Sequence, residues 1–136
     1  MSSLINVELN HGHLTGLIPS ELGLLSSLTS LYLARTEISG SIPSEIGLLS
    51  ALEDLSLWGT DITGQVPIEL FHLSNLEILY LDHNYYMSST IPTEIGLLSN
   101  LKYFEVDRSH FRGTIPSEVR LVTTMAFYIL VYVKKD

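Results

Sequence analysis

One interval governs this chain: its apolar residues, prolines and glycines return every 24 or 25 positions. Leu4, Leu28, Leu52, Leu76, Leu101 and Met125 open successive units, in steps of 24, 24, 24, 25 and 24 residues. All five prolines, Pro19, Pro43, Pro67, Pro92 and Pro116, fall in one column of that register. Gly16, Gly40, Gly64 and Gly113 share a second column, and Gly23, Gly47 and Gly96 a third. A fixed period of this length marks a repeat architecture, in which one unit cannot bury its own apolar edge and stacked units bury a common one. The register makes 1–136 a single domain with repeats 4–27, 28–51, 52–75, 76–100 and 101–124 and a partial sixth, 125–136.

Each unit starts with apolar residues at its first, fourth and sixth positions, as in Leu28, Leu31 and Leu33 or Leu76, Leu79 and Leu81. The fourth and sixth alternate with polar residues, the period-2 mark of a short strand with one buried face. An apolar residue, a glycine and an Ile-Pro or Val-Pro step follow, as in Ile38-Ser39-Gly40-Ser41-Ile42-Pro43. Glycine relaxes a bend and proline fixes φ while donating no hydrogen bond, so the chain is expected to leave the sheet there. Ser44-Glu45-Ile46-Gly47-Leu48-Leu49 then suits one helical or 3₁₀ turn, with proline at its first position and a carboxylate near its positive end. Stacking these coils pairs the strands in parallel and leaves the bulkier return turns on the outside of an arc. The expected fold is an α/β repeat: a right-handed solenoid with a parallel concave β-sheet and short 3₁₀ or helical turns on its convex side.

Composition narrows the function classes. Seven basic residues against fifteen acidic ones give a net charge of −8, which repels nucleic-acid phosphates and argues against a nucleic-acid partner. With no cysteine there is no disulfide, thiolate metal site or cysteine nucleophile. Repeat structure is entered at once at Leu4, without the pattern of a signal peptide. The apolar stretch Leu121 to Val133 is 13 residues long, short of the ~20 a spanning helix needs, so no membrane insertion is expected.

The pattern L-x-x-L-x-L-x-x-(N/T)-x-L-x-G-x-I-P-x-x-L-G-x-L resembles the plant-type leucine-rich repeat of receptor ectodomains, receptor-like proteins and secreted inhibitors of pathogen enzymes. With Ile42 to Leu49 reading Ile-Pro-Ser-Glu-Ile-Gly-Leu-Leu and close variants at Ile18 and Ile91, it is also similar to the repeats of algal proteins of that type. The resemblance runs from Leu4 to about Thr124 and implies recognition of a protein or peptide through the concave face, with no catalysis and no cofactor. It further implies a receptor-like or cell-surface parent, which would place the chain outside the cell. The chain departs from the family in its Asn column, which reads Gly12, Thr36, Thr60, Asn84 and Ser109. Because hydroxyls offer fewer donors than an amide, a weaker inter-coil polar spine is expected. A cysteine-bearing cap is missing too, so the chain is read as a piece of a longer protein or as an array capped in another way. In the fourth unit the one extra residue, at Tyr85-Tyr86 before Met87, and the Ser89 in the glycine column predict a bulge, and in the third Phe71-His72 in place of Gly-Leu predicts a wider return turn.

The outward strand positions form three columns: Asn6, Ser30, Asp54, Ile78, Tyr103; Glu8, Tyr32, Ser56, Tyr80, Glu105; and Asn10, Ala34, Trp58, Asp82, Asp107. Tyr32, Trp58, Tyr80 and Tyr103 make a zigzag of aromatics on successive coils, the residue types that most often anchor binding; the competing reading is cross-strand packing between neighbouring rings. Asp54, Asp82 and Asp107 border them, with Glu105 nearby, and Arg35 and Arg108 share the next column with His11 and His83. A carboxylate pair such as Asp82 and Asp107 serves acid-base or cation chemistry, but no nucleophile or oxyanion site accompanies it, so an acidic partner-facing patch is expected and no enzyme. The candidate ligand-binding residues are therefore Tyr32, Trp58, Tyr80, Tyr103, Asp54, Asp82, Asp107, Arg35 and Arg108.

His13, Glu37 and Asp61 also stack in one column but are read as a solvated edge, not a metal site. On the return side Glu21, Glu45, Glu69, Glu94 and Glu118 form an acidic ladder; three residues later Leu24, Leu48, Leu97 and Leu121 are read as extra core, with an exposed stripe for association as the alternative. Phe127 to Val133 is apolar on both faces of a prospective edge strand, which predicts self-association there or cover by further sequence. The rival to a binding module is a structural spacer or self-association element of a larger, possibly kinase-linked protein.

Overall fold

A computed structural model describes residues 5–122, so the partial sixth repeat and the Phe127 to Val133 edge lie outside the described residues. Within them the chain winds through five coils. Strands β1 (Asn6–Glu8), β3 (Ser30–Tyr32), β5 (Asp54–Ser56), β7 (Ile78–Tyr80) and β9 (Tyr103–Glu105) form one five-stranded parallel sheet in the order β1-β3-β5-β7-β9. The last four are strands because their middle residues, Leu31, Leu55, Leu79 and Phe104, are driven into the core while the flanking residues point the other way, and in the first Val7 is partly buried in the same place. The register pairs Ser30 with Asp54, Asp54 with Ile78, Ser56 with Tyr80 and Tyr80 with Glu105, so the outward columns expected from the period stand in line.

A second set of strands was not foreseen. β2 (Thr15–Leu17), β4 (Glu37–Gly40) and β6 (Asp61–Ile62) form a parallel ladder on the flank, and β8 (Ser88–Thr90) pairs with β10 (His110–Arg112). The Ile-x-Gly segment, expected only to turn, pairs with its neighbours before the Ile-Pro step. Between the two ladders only a bridge from Gly64 to Met87 remains. This break is the consequence of the extra residue in the fourth unit: Tyr85 and Tyr86 bulge outward in a turn closed by Met87 N–H donating to Asn84 C=O at 3.1 Å.

The return segments are five-residue 3₁₀ turns at Ser20–Leu24, Ser44–Leu48, Ile68–His72, Thr93–Leu97 and Ser117–Leu121. Each proline stands one residue earlier than expected, outside the turn in extended conformation, as at Pro43 with φ −69° and ψ 143°. Neighbouring turns pack so closely that a methyl group on Gly47 would stand 2.8 Å from the Glu69 carbonyl oxygen. Phe71 occupies the equivalent place in the third turn with its ring fully buried; this turn has the same five residues as the others, though it meets the next one less closely than the others meet.

Columns of side chains fill the interior, among them Leu28-Leu52-Leu76-Leu101, Leu31-Leu55-Leu79-Phe104 and Ile46-Leu70-Ile95-Val119. At ~1.5–3 kcal/mol per buried large aliphatic side chain, these ladders are the main source of cohesion. The leucines at the ends of the return turns are not part of it. Leu24, Leu48, Leu97 and Leu121 are 76%, 60%, 53% and 63% exposed, which corrects the reading of that column as extra core. A five-residue turn points its last side chain away from the interior, since the following Leu25, Leu49, Leu73, Leu98 and Val122 are the ones turned inward.

The polar spine differs from coil to coil. Thr36 Oγ donates only to Leu33 C=O of its own coil, at 2.8 Å. Around Asn84 the ladder is complete: its Oδ1 accepts from Thr60 N–H (3.0 Å), its Nδ2 donates to Leu57 and Leu81 carbonyls (3.0 and 2.9 Å), and its own N–H donates to Ser109 Oγ (3.0 Å). Ser89 compensates for the missing glycine by accepting from Val66 N–H at 3.1 Å.

Candidate functional site

The concave sheet holds Tyr32, Trp58, Tyr80 and Tyr103 on its outer side, each at least partly open to solvent. The four rings do not stack on one another; among the described residues the ring contacts are Trp58 with His83 and His83 with Tyr85. Tyr32 donates its hydroxyl to Asp54 Oδ2 at 2.7 Å. Burial and that carboxylate push its pKa up to about 12. Tyr103, 40% exposed, stands apart at the end of the first column.

Trp58 is placed by β5 and the segment after it, where backbone bonds from Arg35 N–H to Trp58 C=O and from Gly59 N–H to Asp82 C=O stack the third column. The Arg35 guanidinium lies 5.0 Å from the indole centroid, a cation–π contact. His83 meets the indole edge to face, at 5.8 Å between centroids and an interplanar angle of 83°. Its Nδ1 is 3.0 Å from Trp58 Nε1 and 2.8 Å from Asp82 Oδ2. One ring nitrogen either accepts the indole proton or donates to the carboxylate, so indole, imidazole and carboxylate form a coupled trio.

A column of left-handed residues supports this rim. His11, Arg35, His83 and Arg108 have φ of 59°, 55°, 58° and 52°, and Gly59 completes the series at 64°. The fold demands the left-handed bend in every coil, and four of the five positions carry a cationic-type side chain where a glycine or asparagine is the least strained choice. These side chains border the acidic columns: His83 faces Asp82, and Arg108 Nε is 3.6 Å from Asp107.

Asp82 was expected on an open patch, yet it is only 6% exposed, bonded to His83 and lining one hollow with Trp58. Burial pushes its carboxyl above the usual carboxylate range, against the lowering effect of His83. Glu105 is raised as well, by burial and by Asp82 and Asp107, and Tyr80 by burial and by Glu105.

Two hollows open on this side. A central one of about 430 Å³ is lined by Ser56, Trp58, Tyr80, Asp82, His83 and Glu105. A rim hollow of about 500 Å³ runs past His11, Arg35, Trp58, Asp61, His83 and Tyr85. Trp58 and His83 line both, so their edge-on pair is the ridge between them. Of the expected residues, the structure gathers Trp58, Tyr80, Asp82 and Arg35 around this ridge and leaves Tyr32 with Asp54, and Arg108 with Asp107, beside it. His83, Glu105 and Tyr85 were not among the expected binding residues. His83 was legible from the register, one column over and one coil later than Trp58; Tyr85 was not, because it belongs to the inserted bulge. His13 Nδ1 lies 3.0 Å from Glu37 Oε1 on the exposed edge, and among the described residues no three His, Cys, Asp or Glu side chains converge to hold a metal ion.

The family model for the Leucine Rich Repeat matches residues 27–49. Over 94% of its length the chain superposes on the Arabidopsis receptor kinase HAESA, solved in complex with the peptide hormone IDA and the co-receptor SERK1, with a TM-score of 0.86 and 30% identity. The chain is a leucine-rich repeat array. It also matches the BIR3–SERK2 complex from Arabidopsis thaliana over 85% of its length, with a TM-score of 0.79 and 35% identity, and a plant ice-binding protein over 85%, at 0.70 and 32%. The chain spans 21%, 61% and 36% of those three solved chains. No curated protein matches it. Among the described residues no helix is long and apolar enough to cross a membrane.

Proposed function

We propose that this array is a protein- or peptide-binding module that engages its partner through the concave face, as part of a receptor-like, cell-surface protein. The observation that carries the reading is the Trp58–His83 ridge: a large amphipathic ring held rigid by Arg35 and His83, half-buried at the middle of the sheet, between two hollows and within a charged border. An aromatic centre with a charged rim is where binding energy concentrates. Similarity to solved receptor ectodomains, one of them holding a peptide hormone, supports the same use of the fold. Tyr32, Tyr80, Tyr103, Asp54, Asp82, Asp107, Arg35 and Arg108 complete the proposed surface. No catalytic role is proposed for the carboxylates, because Asp82 is engaged by His83 and Asp107 by Arg108 on an open face.

The test is affinity for a partner recovered by pull-down with the full chain. Trp58→Ala is expected to lose ~2 kcal/mol or more of binding free energy while the circular dichroism spectrum is unchanged. Unaltered affinity, or a loss accounted for by unfolding, removes the ridge from the site. A second reading, self-association as a structural element, is favoured by the exposed Leu24, Leu48, Leu97 and Leu121 stripe. It predicts a concentration-dependent mass by sedimentation that Leu48→Ser reduces.

A further inference from the structure

We infer that the central hollow beneath Trp58 is a receptacle for one cationic side chain of the partner, an arginine by preference. This rests on the reading of the concave face as the binding surface. The hollow joins two π walls, Trp58 and Tyr80, to two carboxylates, Asp82 and Glu105, over a floor that includes the buried Ser56. No arginine or lysine among the described residues lines it: Arg35 lies on the rim side of the indole. Among the described residues no cationic side chain pairs with Glu105, so its charge is uncompensated within the hollow. His83 Nδ1 is already engaged, either accepting from the indole or donating to Asp82.

The chemistry selects the ligand. Aromatic faces attract a cation through their quadrupole, and a guanidinium can stack on a ring while donating in fork geometry to a carboxylate. An anion would meet two carboxylates, with Asp107 behind them, and an apolar group would leave Glu105 desolvated and unpaired. Burial first, and repulsion from neighbouring negative charge second, raise the Glu105 carboxyl and the Tyr80 hydroxyl here. A cation entering the hollow relieves that repulsion. The net charge of −8 draws such a partner toward the face.

Trp58 is the only tryptophan in the chain, so its indole N–H resonance reports on the hollow without a known partner. The probe is Nα-acetyl-arginine amide, titrated into the full chain labelled with ¹⁵N, with the citrulline analogue as its neutral isostere. A saturable shift of the indole resonance is expected for the arginine compound, with half-saturation on the order of millimolar for a single side chain. Citrulline is expected to bind about tenfold more weakly, and Glu105→Gln, near-isosteric and half-buried, to weaken arginine by about the same factor. Raising the salt to about 0.5 M should weaken it further. Equal shifts with citrulline, or a Glu105→Gln protein that is folded by its amide spectrum and binds arginine unchanged, overturn the proposal. Should the Glu105→Gln protein not be folded, the citrulline comparison on the unsubstituted chain decides alone. A failed titration alongside partner binding that is lost in Trp58→Ala refutes the cation receptacle and leaves the concave-face reading standing. Partner binding indifferent to Trp58→Ala refutes that reading whatever the probe does.

Discussion

Asn84→Ala is the substitution whose cost the structure determines most sharply. The Asn84 side chain is fully buried and ties its own coil to the preceding one. Its oxygen accepts from Thr60 N–H at 3.0 Å and from Thr60 Oγ at 2.7 Å; its nitrogen donates to Leu57 and Leu81 carbonyls at 3.0 and 2.9 Å. After truncation the losses are unequal. Thr60 Oγ still reaches Leu57 C=O at 3.2 Å, and Ser109 Oγ still donates to Leu81 C=O at 2.6 Å. Thr60 N–H is left as a buried donor with no acceptor. One orphaned donor costs ~1–3 kcal/mol and each of the three remaining bonds ~0.5–1.5 kcal/mol net, so the total is about 2.5–7.5 kcal/mol. Thr36→Ala provides the internal scale: it removes one bond to Leu33 C=O within its own coil and should cost about 1 kcal/mol. Urea unfolding of the full chain, followed by Trp58 fluorescence and by circular dichroism, measures both. If Asn84→Ala costs no more than Thr36→Ala, the inter-coil amide ladder is not what holds these coils in register.

Three further outcomes follow from the packing and the charges. Gly47→Ala should destabilise by ~1–3 kcal/mol, because its new methyl meets Glu69 Cβ at 2.6 Å and the Glu69 carbonyl oxygen at 2.8 Å, whereas Gly12→Ala, with nothing nearer than 3.8 Å, should not; equal melting temperatures for the two would disprove the tight stacking of the turns. Since burial raises the Asp82 carboxyl in the folded state, the native chain holds that proton more tightly than the unfolded chain, and this group's contribution to stability is lost as pH rises from the ordinary carboxylate range through the raised value. Asp82→Asn should therefore gain stability relative to the parent as pH goes from about 4 to about 7; a difference that is flat or shrinking in urea midpoints contradicts the assigned cause. Leu48→Ser, on a side chain 60% exposed, should change stability by less than ~0.5 kcal/mol, and a larger loss in thermal unfolding would return that leucine to the core.

Much of this protein was legible in its sequence because the repeat period ties each residue to a fixed place in a coil. Leu31, Leu55, Leu79 and Phe104 are apolar at the one position a parallel strand buries, and the columns holding Trp58, Tyr80 and Asp82 follow by counting in steps of 24 or 25. The left-handed column of His11, Arg35, His83 and Arg108 was likewise visible as a column, though its backbone conformation was not. Tertiary structure alone decided the rest. Ile38 and Ile62 sit on strands of a second ladder because coils that stack for the first sheet also bring their flanks within pairing distance. Leu48 is exposed because a 3₁₀ turn ends with its last side chain outward, which a count of apolar residues cannot distinguish from burial. Asp82 is buried where His83 of its own coil bonds it and Trp58 of the preceding coil stands beside it. A period specifies which residues become neighbours; how far one side chain covers another depends on rotamers and on distances between coils, and those exist only once the coils are stacked.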